Sequence, residues 1–159
     1  MDIDGEYRIP VARDKIWEAL NDPEVLKLCI PGCKELSQDA PGEMSAKVAL
    51  KVGPVSATFS GSVKFEDVNA PNGYTLVGHG NGGMAGFAKG RAVVNLVEEG
   101  PETLLRYEAK AETGGKIASL GGRLLQSTSR KLADQFFGAF ANYLGDHPVG
   151  RADPTSQAV

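Results

Sequence analysis

Residues 2–9 alternate. Ile3, Gly5, Tyr7 and Ile9 share one face, and Asp2, Asp4, Glu6 and Arg8 share the other, which is the pattern of a half-buried strand. Pro10 ends that strand, and a short helix follows with Ile16, Trp17 and Leu20 directed inward. Asp22-Pro23-Glu24 then supplies an N-cap, a proline at the first helical position and an acid in the first turn. The second short helix carries Val25, Leu26 and Leu28 and stops at Pro31-Gly32.

The middle of the chain is a meander whose faces can be checked against its turns. Met44, Ala46, Val48, Leu50 and Val52 share a face, as do Val55, Ala57, Phe59, Gly61, Val63 and Phe65 on the next strand. A two-residue turn at Gly53-Pro54 pairs Val52 with Val55, so the apolar faces coincide. An Asn72-Gly73 turn brings Tyr74 and Leu76 onto the face of Phe65. A four-residue loop at 99–102 sets Leu96 against Leu105, Val94 against Tyr107 and Ala92 against Ala109. Three turns thus give one consistent apolar face.

From about Leu120 the period becomes helical. Leu124, Thr128, Leu132, Phe136 and Phe140 recur every fourth residue, with Arg123, Arg130, Lys131 and Asp134 on the other side. A helix of ~24 residues is ~36 Å long, enough to cover a sheet. The expected class is α+β: a seven-stranded curved antiparallel sheet, two short helices and one long C-terminal helix. Much of the inward face is small, including Ala46, Ala57, Gly61, Gly90, Ala92, Ala109 and Ala111, which predicts unfilled volume beneath the helix. The alternative is a helix that sits closer and leaves a solid core. The expected lining of one enclosed space is Phe59, Val63, Tyr74, Ala92, Tyr107, Leu124, Thr128 and Phe136.

Composition narrows the function classes. The 159 residues suit one domain, read as 1–145 with a polar tail at 146–159, and no internal repeat is present. No apolar run approaches the ~18 residues of a membrane span, and the acidic start MDIDGEYRIP is not a secretory signal. A net charge of −3 with scattered Lys and Arg offers no stripe for nucleic acid. The expected location is the cytoplasm, with membrane contact at most peripheral at its inner face. The 20 glycines concentrate in 78–90 and 114–122, where backbone must turn sharply or approach something closely.

Gly78, Gly80 and Gly83 match GxGxxG, but a strand follows where a dinucleotide site needs a helix. The segment Gly82–Phe87 reads better as a glycine-rich hairpin, with Gly83, Met84 and Phe87 as a lid or partner contact; ordinary packing is the competing reading. Cys29 and Cys33 in CIPGC fall short of the four ligands of a zinc site and lack redox CxxC spacing, so free thiols and no metal are expected. The inward faces offer Tyr7, Tyr74, Tyr107 and Thr128, with Gln135 and Tyr143 as further candidates, but no clear acid or histidine. That argues for binding over turnover.

LKLCIPGCKEL at 26–36, KVGPVSATFSG at 51–61 and GHGNGGMAGFAKG at 78–90 together resemble the family of the carbon monoxide dehydrogenase G subunit, over about residues 1–145. This family belongs to the START/Bet v 1-like (SRPBCC) superfamily. The resemblance implies a helix-grip fold whose cavity takes a hydrophobic ligand, such as a quinone or lipid. It also implies an accessory role beside a molybdenum-flavin dehydrogenase, with no cofactor of its own. An assembly or membrane-docking factor with an incidental cavity and a polyketide cyclase-like enzyme are the alternatives. Relatives that attach to membranes carry a longer C-terminal extension, whereas the tail here is short and polar, which favours a soluble carrier or adaptor.

Overall fold

A computed structural model describes residues 1–146. The elements run β1 (Asp2–Ile9), α1 (Arg13–Leu20), α2 (Pro23–Cys29), β2 (Cys33–Ala40), β3 (Glu43–Val52), β4 (Val55–Asn69), β5 (Gly73–Asn81), β6 (Phe87–Glu99), β7 (Glu102–Gly114) and α3 (Gly122–Asp146). Short 3-10 turns occupy Gly83–Ala85 and Lys116–Leu120. The seven strands form one antiparallel sheet in the order β1-β7-β6-β5-β4-β3-β2. Only β1 is inserted out of sequence, beside β7, because the meander leaves that edge free. Helix α3 runs through Asp146, and the rest of the expected polar tail, 147–159, lies outside the described residues.

The turn arithmetic holds. Val52 faces Val55, Phe65 faces Leu76, and Leu96, Val94 and Ala92 face Leu105, Tyr107 and Ala109. Two turns differ in detail. Glu99 pairs with Glu102, so the β6–β7 connection is shorter than the expected four residues although its register is unchanged. Asn69 pairs with Gly73, which places Gly73 in the ladder and the turn at 70–72.

Asp22 caps α2 as expected, its side chain accepting from the Glu24 amide at 3.0 Å. The helix turns Cys29 into the core and leaves Leu28 72 % exposed. Thr103 is fully buried on β7, and its hydroxyl donates to the Val11 carbonyl at 2.8 Å, tying the segment before α1 to the sheet. No helix among the described residues is long and apolar enough to cross a membrane.

Candidate functional site

Two clusters of buried side chains fasten α3 to the sheet, one near each end of the helix. The larger joins Ile9, Ile16, Leu20, Val25, Leu96 and Leu105 to Phe140 and Leu144. The smaller joins Val55, Ala85 and Ile117, with Phe59, Leu120 and Leu125 packed against it. Between them the concave face carries Ala46, Gly61, Gly78, Gly90, Ala92, Ala109 and Ala111, side chains too short to reach the helix. The result is a cavity of about 530 Å³, within the size range of small-molecule sites. Val63 on its wall remains 36 % exposed, so the space opens to solvent instead of being sealed as the sequence suggested.

Of the expected lining residues, Phe59, Val63, Ala92 and Thr128 meet on this cavity. Tyr74, Tyr107, Leu124 and Phe136 do not. Tyr74 packs against Trp17 and Phe65 with ring centroids 5.5 and 4.9 Å away. Tyr107 lies beside Phe137 at 5.8 Å, and Phe136 stacks on Phe140 at 5.7 Å. Leu124 covers the β3–β4 turn, where a Cβ on Gly53 would meet it at 2.8 Å. The physical reason is volume. A large inward side chain fills the space it faces, so the aromatics build the larger cluster, and the hollow remains where residues are small. Met1, Ile30, Val48, Leu50 and Leu132 complete much of the wall. Leu132 carried a signal in the every-fourth-residue stripe of α3, and Ile30 sits in the CIPGC segment.

The wall is chemically quiet. Among the described residues its inward polar side chains are Thr113, Thr128 and Ser129 and no Asp or Glu lines it, while Ser62, His79, Lys89, Arg91 and Lys110 border it on strands that turn their side chains to the other face. Ser129 lies 3.8 Å from the Met1 sulfur, while the Thr128 hydroxyl has no hydrogen-bond partner among the described residues. The tyrosine hydroxyls are committed or buried elsewhere. Tyr7 donates to Asp134, and burial together with that carboxylate raises its pKa. Burial raises Tyr107 and Tyr74 as well, so all three phenols are neutral at physiological pH.

The 82–87 segment is more ordered than a loose hairpin. The Gly82 amide donates to the Gly86 carbonyl, and the Gly83 amide to Asn81 Oδ1, each at 2.8 Å. Gly86 has φ +109, and a Cβ there would lie 2.1 Å from the Gly114 carbonyl oxygen, so this position is closed to other residues. Met84 is 95 % exposed, Phe87 is 44 % exposed, and Ala85 is the side chain that turns inward. None of Gly83, Met84 and Phe87 touches the cavity.

Cys29 and Cys33 are free thiols, and the described residues contain no group of three or more potential metal ligands. Burial pushes the Cys29 pKa up to about 11. A raised thiol pKa means that the folded state holds its proton longer than the unfolded chain. This contribution to stability is therefore complete below about pH 9 and declines as pH rises toward 11. Iodoacetamide at pH 8 is expected to label Cys33 well before Cys29, with Cys29 labelled only in denaturant. Peptide mass spectrometry reads this directly, and equal native labelling would show that Cys29 is accessible.

The sequence profile of the family of the carbon monoxide dehydrogenase G subunit (CoxG) matches residues 5–145. The chain belongs to the CoxG family. No curated protein matches the chain. A conserved protein from Geobacillus kaustophilus superposes with a TM-score of 0.87 at 27 % identity, covering 92 % of this chain and 96 % of that one. A START superfamily protein from Mycobacterium smegmatis gives a TM-score of 0.70 at 14 % identity, covering 92 % and 99 %. The Zhui aromatase/cyclase from Streptomyces sp. R1128 gives 0.59 at 11 % identity, covering 89 % and 91 %. The last two likenesses show the fold: this CoxG-family chain has the START/Bet v 1-like helix-grip architecture expected of it. That fold and family suggest a hydrophobic small molecule as the ligand class.

Proposed function

We propose that this CoxG-family protein is a non-catalytic carrier of a flat hydrophobic molecule, an isoprenoid quinone or a lipid, and serves a carbon monoxide dehydrogenase-type molybdenum hydroxylase. The observation that carries the reading is the lining of the cavity: among the described residues its inward side chains are apolar apart from a few hydroxyls and include no carboxylate. Such a wall binds by burying apolar surface, at ~25 cal/mol per Å², which is enough for micromolar affinity with no charged contact. Phe59, Val63 and Ala92 supply apolar contact. Thr128, with its unpaired hydroxyl, takes the place of Tyr74 and Tyr107 as the donor to a quinone carbonyl. The ligand enters when the segment around Gly83, Met84 and Phe87 moves and draws Ala85 out of the smaller cluster.

The family name is that of a subunit, which favours an accessory role, and among the described residues no carboxylate lines the wall while the His79 ring sits on the opposite face beside Ser62, which leaves the cavity without an inward general acid. Action takes place in the cytoplasm or at the inner face of the membrane. The test is calorimetric titration with a short-chain quinone. Trp17 is a poor reporter because it packs on Tyr74 inside the larger cluster, away from the cavity. Saturable one-to-one binding is expected; its absence gives way to a docking factor whose cavity is incidental.

A further inference from the structure

The face of the sheet opposite the cavity carries a second recess. Side chains alternate along a strand, so the residues between the small inward ones point the other way. Val63, Gly78, Gly90 and Ala111 lie in register across β4 to β7. Beside them run two outward rows: Lys64, Val77, Arg91, Lys110 and Asp2 on one flank, and Ser62, His79, Lys89 and Glu112 on the other. The two rows wall a groove of about 840 Å³ that takes no residue from α3, and its floor is the backbone of the glycine row.

Among the described residues the groove carries four cations, Lys64, Lys89, Arg91 and Lys110, and four carboxylates, Asp2, Asp39, Glu43 and Glu112. Arg91 is directly opposite Lys110, like charge against like, whereas Lys64 is opposite Glu43, Lys89 is opposite Glu112, and Lys110 has Asp2 on its other side. Like charges facing each other across a ladder destabilise a sheet. Elsewhere Arg8, Arg13, Lys47 and Arg106 have carboxylates within 4.0 Å. Among the described residues Lys64, Lys89, Arg91 and Lys110 have none, and all four side chains are exposed. The groove's acids lie toward its outer strands, Asp39 and Glu43 on β2 and β3, Asp2 on β1 and Glu112 on β7, which leaves Arg91 on the inner strand β6 with no carboxylate opposite it.

We propose that this groove is a binding site for a small anion of the phosphate class, held by Arg91 and Lys110 with Lys64, Lys89 and His79 around it. An arginine fork matches phosphate oxygens two at a time, and the neighbouring ammonium groups add point charge. The cationic stretch spans three strand spacings from β4 to β7, ~14 Å. A diphosphate fits within that length, and a nucleotide spans it. The acids toward the outer strands repel a longer polyanion, which sets the site apart from a nucleic-acid surface. Ser62 fixes the His79 ring by a 3.0 Å contact between Oγ and Nε2. The sheet backbone separates this groove from the cavity, so the site stands independently of the carrier reading.

The same chemistry has two sources, a free phosphate and a lipid headgroup, and two arms distinguish them. Wild-type protein is titrated calorimetrically with pyrophosphate at low ionic strength. It is also sedimented with phosphatidylcholine vesicles containing phosphatidylglycerol. Both arms are repeated with Arg91→Gln/Lys110→Gln and with the distant exposed pair Lys15→Gln/Lys34→Gln. Saturable pyrophosphate binding that weakens about tenfold in the first variant and not in the second is the expected result. Vesicle binding alone, with the same dependence on Arg91 and Lys110, keeps the site and assigns it to a headgroup. No binding in either arm, or equal weakening in both variants, overturns the proposal. A melting curve completes the test: relieving the like-charged pair is expected to leave Tm unchanged or raise it without anion, which excludes misfolding as the cause of lost binding.

Discussion

Ala92→Trp is expected to abolish saturable quinone binding, reducing affinity at least about a hundredfold, while the protein still folds. Ala92 sits at the middle of the concave face, in register with Leu76 on β5 and Ala109 on β7, and it lines the hollow. An indole placed there enters space that no side chain occupies, so it displaces the ligand and not the core. Small-to-large changes in a filled core cost ~1–3 kcal/mol; here the melting temperature is expected to fall less than such overpacking implies. Thr128→Trp tests the same space from the helix side and covers the case in which the sheet variant distorts β6. Calorimetry on both variants reads the result. If either folded variant binds like wild type, the ligand does not occupy this cavity.

Phe140→Ala is expected to cost ~3–5 kcal/mol, lowering Tm by roughly 10 °C for a chain of this size. Phe140 is fully buried and stacks on Phe136 at 5.7 Å, within the larger cluster that joins α3 to α1, α2 and the sheet. Truncation leaves a void that rigid neighbours cannot close. Thermal denaturation followed by circular dichroism measures the loss. A Tm within a few degrees of wild type would show that α3 is held mainly by its other end.

Much of the architecture is legible in the sequence because alternation and turn length determine faces. Val52 against Val55 and Leu96 against Leu105 follow from counting alone, and the structure has those pairs. Counting does not locate a residue within a face. Tyr74 and Tyr107 point inward as expected, yet which end of the helix they meet depends on how the sheet curves. At that end α1 and α2 close the core around large side chains. The small residues were the better guide to the hollow, since only they fail to fill it. The convex groove was harder still. Lys64, His79, Lys89, Arg91 and Lys110 come from four strands and look scattered along the chain. Registry across the ladders assembles them, and a reading of single strands does not report charge across strands. In CIPGC, the spacing of the cysteines drew attention, while Ile30 between them is the residue that reaches the cavity.

The unequal anchoring of α3 separates the lifetime of a complex from the stability of the fold. Val55, Ala85 and Ile117, with Phe59, Leu120 and Leu125 packed against them, close one end of the hollow, whereas the other end rests on a larger set of buried side chains. On the proposed carrier reading, an occupant is expected to depart by parting the weaker contact, with the stronger still intact. Its residence time is governed by that local opening and bears little relation to the global unfolding barrier. A carrier built this way can release its cargo many times within one folded lifetime, and selection can tune release at Ala85 or Ile117 without touching what keeps the chain folded.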